Sequence, residues 1–350
     1  MNRNNTLAPS WFELTVYVLR GILAVCRHFV KYRFSYCARR VEKPSSYGQQ
    51  YKTHQFASQI TLKDQRTSSE PYLRPTRQCN SLAPEIVSLA SHFRNCCNSD
   101  WDYACAIYDF VCNEVLYMVV MPPPHGVVDT LKRGYGSCVD KINLLIALAR
   151  AGGIPARYCV IDSRIVALGP PEMVGRKVNI YDWVMGHGLG FNAKIHFNLK
   201  TRERKDLAVL MHLGFRLRHF LGRHEHPHAE LKIGGFWVQA DPSFDKYFAA
   251  GFNYPVQKLG YDPFMLWGLT GNVIARTAEA PREPQERLHR RYLCAFTCGE
   301  GSCLNLATDE VRVRGKQVLD EVGESEYMRS KLDYYVPLPE MDKLAVSLTV

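Results

Sequence analysis

From Pro84 onward, apolar positions begin to recur at helical spacing. The stretches PEIVSLASHF (84–93) and DWDYACAIYDFVCNEVLYM (100–118) each predict a helix, with Asp100 and Asp102 suited to the first turn of the second. MPPPHG then breaks the regularity, and DTLKRGYG forms a short approach to Ser137 and Cys138. Beyond Cys138, Ile142, Leu145, Ile146 and Ala149 share one helical face. They predict a buried helix that stops at Gly152-Gly153 and that Pro155 keeps from continuing. Later the period changes: His228–Ile233 and Phe236–Asp241 read as strands joined by Gly234-Gly235, a strong two-residue hairpin signal. A turn of that length places His228 opposite Asp241.

Outside this region the pattern is different. WFELTVYVLRGILAVCRHFV (11–30) is strongly apolar, with Glu13, Arg20 and Arg27 along one narrow face, and the basic tract KYRFSYCARR follows. Such a segment suits docking on the protein's own core or on a partner, or peripheral attachment to an anionic membrane. Its internal charges weigh against a true span. Residues 41–83 are polar and read as a linker or extended wrap. RERKDLAVLMHLGFRLRHFLGRH (202–224) has the amphipathic pattern of an inserted helix that packs beside a sheet or covers a cleft. The expected organisation is a basic N-terminal helix region at 1–40, a linker at 41–83, a catalytic domain at 84–275 holding the 202–224 insertion, and a C-terminal extension at 276–350.

At 350 residues and 46% apolar content the chain can bury a sizeable core. Its net charge of +10 is concentrated at one end, because residues 1–80 carry 13 Lys or Arg against 4 acids, a net +9. The rest is close to neutral, which argues against a nucleic-acid groove across the main domain. Twelve cysteines would permit disulfides, but the N-terminal apolar run carries charges and lacks a small-residue cleavage site. The expectation is therefore mostly reduced thiols and a cytoplasmic protein, with membrane association through residues 11–40 as the variant. Cys294, Cys298 and Cys303 fit no standard zinc spacing, and structural thiols or one local disulfide are expected there.

The candidate chemistry centres on Cys138. A cysteine in the first turn of a helix meets unsatisfied N–H groups and the positive helix end, both of which favour a thiolate. A cysteine nucleophile also needs an imidazole to take its proton, and His228 is the candidate. Asp241, across the hairpin, is placed to orient that imidazole, with Asp245 the nearest alternative by sequence. The backbone N–H of Cys138 is a natural oxyanion donor, and Trp101, Tyr117 and Tyr135 are further candidates. His224 and His226 suit an approach or a solvent-facing position better than a metal site, and no cofactor or metal is expected.

GSC leading into a helix, then GGIPARYCVI, then HAEL followed by GGFWVQADPS, together resemble the transglutaminase-like superfamily of papain-like cysteine enzymes. The resemblance spans roughly residues 84–250. It implies an α+β fold in which the cysteine stands at the N-terminus of a central helix packed on an antiparallel sheet. It also implies Cys138 as nucleophile, His228 as general base and Asp241 as orienting acid. Two features depart from the pattern: Ala229-Glu230 follows the histidine where an aromatic residue is common, and His228 stands 90 positions after Cys138.

That resemblance leads to cysteine-dependent acyl transfer at an amide or thioester carbonyl, first as a protease or amidase. The alternatives are a protein transglutaminase or deamidase, an amide synthase or acyltransferase drawing on a carrier-protein thioester, and a non-catalytic binding module. The expected partner is a protein, a peptide or a carrier-bound acyl substrate.

Overall fold

The computed structural model describes residues 70–118, 126–162, 164–165, 225–251, 255–261, 269–270, 273–280, 303–332 and 337–338. The expectations for residues 11–40 and 202–224, and for Cys294 and Cys298, lie outside the described residues. No helix among the described residues is long and apolar enough to cross a membrane.

Helix α1 (Pro84–Asn95) starts with Pro84 in its first turn, where a missing N–H costs nothing. Helix α2 (Asp100–Asn113) is capped by Ser99, whose Oγ accepts from the Asp102 N–H at 3.0 Å. The expected continuation of this helix to residue 118 is corrected here. After Asn113 the chain enters strand β1 (Leu116–Tyr117), which pairs in parallel with β2 (Tyr135–Gly136). Leu116 and Met118 donate to the carbonyls of Gly134 and Gly136 at 2.9 and 2.8 Å, so a distant segment takes bonds that another helical turn would have used. The approach to Cys138 is also more ordered than expected, forming helix α3 (Val127–Arg133).

Helix α4 (Cys138–Ala151) is the centre of the molecule, with every residue from Val139 to Ala151 buried. Its N-terminus carries a capping box: the Asp140 N–H donates to Ser137 Oγ at 3.3 Å, and the Ser137 N–H donates to Asp140 Oδ2 at 2.9 Å. Helices α1 and α2 flank it, and a four-stranded antiparallel sheet in the order β6-β5-β3-β8 covers another side. The strands are β3 (Ala156–Asp162), β5 (Glu225–Ile233), β6 (Phe236–Ala240) and β8 (Val273–Thr277). A short antiparallel pair, β4 (Arg164–Ile165) with β7 (Leu269–Thr270), lies apart from it.

Ile86, Tyr103, Ile107, Leu144, Leu148, Ala229 and Leu231 belong to one buried core, so helices and sheet share it. Tyr158 of β3 reaches across to donate to Asn143 Oδ1 on α4 at 2.7 Å. Arg150, fully buried near the end of α4, donates to the carbonyls of Arg74, Ala156 and Ala278. A buried guanidinium is tolerable only when its donors are matched in this way.

The hairpin forms in the expected register. Ile233 pairs with Phe236 and Ala229 with Ala240, and Gly234 and Gly235 take φ values of 56° and 88°, as a tight hairpin turn requires. Strand β5 begins earlier than expected, at Glu225, because β3 pairs with it that far. Pro227 is accommodated because the Lys232 N–H points toward β3, donating to Pro155 O at 2.8 Å. By alternation the nitrogen of Pro227 faces the β6 side, beyond the last pair of that ladder.

At the far end, helix α5 (Lys246–Gly251) follows the hairpin. The long helix α6 (Cys303–Val322) packs on it, followed by α7 (Glu324–Arg329).

Candidate active site

Cys138 is the first residue of α4 and is half-buried, whereas the rest of that helix is sealed in the core. Its backbone N–H is one of the four that a helix cannot satisfy from within. Ser137 and Asp140 close the capping box around it, so the helix start that carries the thiol is fixed in place. S-x-x-D immediately around a cysteine was the legible signal for that rigidity.

His228 lies on β5 and is fully buried. It is the Cα partner of Cys159 on β3. The last β5–β6 pair is Ala229 with Ala240, so His228 and Asp241 each stand one residue beyond the end of that ladder.

Asp241 is 1% exposed. Its Oδ1 accepts from the Ser243 N–H at 3.0 Å and from the Ser243 hydroxyl, an Asx turn around Pro242.

Helix α2 connects this turn to the start of α4. The Tyr108 hydroxyl donates to Asp241 O at 3.0 Å, and the Cys112 thiol donates to Phe244 O at 2.7 Å. The carbonyl of Cys112 in turn accepts from Lys141 Nζ at 3.1 Å. Lys141 lies three residues after Cys138 and is fully buried. Burial pulls its ammonium down to about 8, while Cys112, Asp245 and Asp241 oppose that pull.

Asp245, the alternative orienting acid, is committed elsewhere. Its Oδ2 accepts from Arg312 Nε at 2.8 Å and its Oδ1 from the Phe248 N–H at 2.9 Å. Of the candidate oxyanion side chains, Tyr135 is buried with Leu116 and Met118, and Trp101 packs against the main core. The Tyr117 ring meets Phe244 and Phe248. None of these contacts singles one out as a donor.

A second thiol stands beside His228. Ligand atoms of Cys159, His228 and Glu230, all buried, lie within 4.8 Å of one another. Spacing of that kind could hold a metal ion. Glu230, however, already pairs with Arg157 at 2.6 Å and Arg276 at 3.1 Å, and two guanidiniums weigh against a cation at its carboxylate. Burial pushes the Glu230 carboxyl up, and the two arginines more than reverse it, leaving its pKa below the ordinary value. Burial, and after it Glu230, push the Cys159 thiol up to about 12. Glu230, two residues after His228, is thus an ion-paired acid. Arg157, its partner, also stacks on Trp237 with the guanidinium carbon 3.7 Å from the ring centre.

Cys79, Cys96, Cys97, Cys105, Cys112, Cys138 and Cys159 are thiols, with no disulfide among them. Sequence reasoning missed Lys141, Ser243, Arg312 and the role of Tyr108. A lysine within an otherwise apolar helix was a signal for the first, and D-P-S for the second.

The family model of the transglutaminase-like superfamily matches residues 87–242, somewhat less than half of the chain. No curated protein matches the chain. Among solved structures, one of a candidate cysteine protease from Cytophaga hutchinsonii matches at 21% identity, covering 60% of this chain and 47% of that one. Its TM-score is 0.34. Residues 87–242 are similar to the transglutaminase-like superfamily, and they carry that papain-like kind of fold: a cysteine-led helix beside strands β3, β5 and β6 of the central antiparallel sheet.

Proposed function

We propose that the protein is a cysteine-dependent acyl-transfer enzyme in which Cys138 is the nucleophile, His228 the general base and Asp241 the acid that orients the imidazole. Protease or amidase activity on a protein or peptide substrate is the first reading. One observation carries it: α2 binds the turn holding Asp241 through Tyr108 and Cys112, and binds the first turns of α4 through Lys141. This bridging by α2 supports reading the acid of the hairpin and the thiol of the helix as parts of one site.

In the reaction, His228 takes the thiol proton and the Cys138 sulfur attacks the carbonyl carbon, forming the C–S bond. The carbonyl electrons move onto oxygen, which the Cys138 N–H at the helix start stabilises. Collapse breaks the C–N bond, and the imidazolium gives its proton to the departing amine. Water, deprotonated by the same imidazole, then attacks the thioester and releases the acid and the thiol. Asp241 Oδ1 is engaged by Ser243, so in this reading Oδ2 is the oxygen that would accept from the imidazole N–H. Cys159 does not take the nucleophile's part, because a thiol raised to about 12 is protonated at neutral pH.

The test is to trap the acyl-enzyme. Peptide amides, glutamine-containing peptides and carrier-bound thioesters are mixed with the protein, and intact mass is recorded during turnover. The expected result is an acyl adduct on Cys138 that disappears in Cys138→Ala. Water or an added amine as the acceptor then separates a hydrolase from a crosslinking or amide-forming enzyme. Absence of any adduct with all three donor classes would favour a binding module.

A further inference from the structure

Beyond residues 87–242, several contacts converge on the segment that carries Asp241. Residues 241–245 are all buried, and α6 packs on α5 directly after them and reaches Asp245 through Arg312, 67 positions away. Arg312 on α6 is 2% exposed, donating to Asp245 through Nε at 2.8 Å and to the carbonyl of Tyr117 through Nη2. Its guanidinium carbon also lies 5.6 Å from the centre of the Phe248 ring. One turn along, Gly315 meets the backbone of α5 so closely that an added Cβ would stand 1.7 Å from Tyr247 O. Leu319 then packs with Ala250, Val256 and Tyr327, and Lys246 pairs with Glu324 at 2.7 Å.

A guanidinium buried against a carboxylate fixes both partners, since moving either would leave a charge unmatched away from water. Asp245 is four residues from Asp241 in the same buried turn, and Lys141 feels Asp245, Arg312 and Asp241 together. Tyr117 O places the same guanidinium against the strand that pairs with β2, directly before Cys138. Arg312 therefore touches supports of both ends of the proposed site.

We infer that α6 is part of the catalytic unit and that Arg312 is a positioning residue, holding Asp245 and the Tyr117 strand so that Asp241 keeps its place relative to Cys138. This rests on the nucleophile assignment above. Neither α6 nor Arg312 falls within the segment that matches the family model.

The experiment uses the full chain. The second-order rate of Cys138 alkylation by iodoacetamide is followed against pH by peptide mass, for the parent, Arg312→Met and Arg312→Lys, with melting temperatures measured alongside. In Arg312→Met the rate at pH 7 should fall fivefold or more, with the midpoint of the pH profile moving up toward that of an unperturbed thiol, about 8.5. Arg312→Lys, which returns a positive charge but not the fork, should lie between it and the parent. A folded Arg312→Met with the parent's rate and midpoint would overturn the inference, leaving α6 a purely stabilising element. If Arg312→Met does not fold, Arg312→Lys decides alone: a twofold or greater loss with an upward midpoint supports positioning, and an unchanged profile overturns it. A parent in which Cys138 labels no faster than the other thiols would instead overturn the nucleophile assignment, and the inference with it.

Discussion

Cys138 and Cys159 lie 21 positions apart, one opening α4 and the other inside β3, and they show how surroundings decide what a thiol can do. Cys159 has the closer demonstrated neighbours: His228 is its cross-strand partner and Glu230 lies within the same cluster. Counting residue types alone would make it the better candidate. Yet it is fully buried, an acid stands beside it, and its thiol is pushed up to about 12. Cys138 is half-buried at a helix N-terminus, where exposed N–H groups and the helix dipole favour negative charge. One of these residues is sealed from solvent and the other is not. The lesson is that a thiol, an imidazole and a carboxylate within a few ångström make a catalytic set only when the sulfur can ionise and be reached.

The sharpest way to break this comparison is to remove each sulfur in turn. Cys138→Ala should abolish acyl-enzyme formation, whereas Cys159→Ala should keep turnover within about threefold of the parent and lower stability by about 1 kcal/mol through a small cavity. Reversed results in an intact-mass and turnover assay would transfer the nucleophile's role to β3. Next in size is Asp241→Asn, which keeps the Asx turn's acceptor but loses the charge. Turnover should fall on the order of 10²-fold with little change in melting temperature. An unchanged rate would leave Asp241 as a turn residue only.

Glu230→Gln sharpens the other side, because it unpairs Arg157 and Arg276 without touching α4. A stability loss of about 1–3 kcal/mol is expected at neutral pH. The pH dependence has a definite sign. The folded-state pKa of Glu230 lies below its unfolded value, so its contribution is present above about pH 4.3 and fades as pH falls through the folded value. Thermal melts between pH 5 and 3 should therefore fall more steeply for the parent than for Glu230→Gln. Parallel curves would mean the carboxylate is not held down by its arginines.

The hairpin and the start of α4 were legible because they depend on local chemistry. Two adjacent glycines fix a two-residue turn, and the turn fixes the hairpin register from Ile233 with Phe236 to Ala229 with Ala240. Gly152-Gly153 and Pro155 likewise end α4 where the sequence says it must end. What could not be read was decided by partners far away in sequence. VLYM at 115–118 fits a helix or a strand by its apolar pattern, and only β2 settles it. Glu230 looks like a solvent-side acid in an alternating strand until Arg157 and Arg276 arrive from two other strands. Asp245 and Arg312 are 67 residues apart, and nothing in the sequence around either announces the other.

The central claim, that His228 serves Cys138, is tested most directly by thiol alkylation resolved cysteine by cysteine. Limiting iodoacetamide is applied to the full chain near neutral pH, and labelled peptides are quantified for the parent and His228→Ala. The account predicts that Cys138 labels fastest in the parent and at least tenfold more slowly in His228→Ala, while Cys159 stays unlabelled in both. Equal Cys138 rates in the two folded proteins, or Cys159 labelling ahead of Cys138, would contradict it.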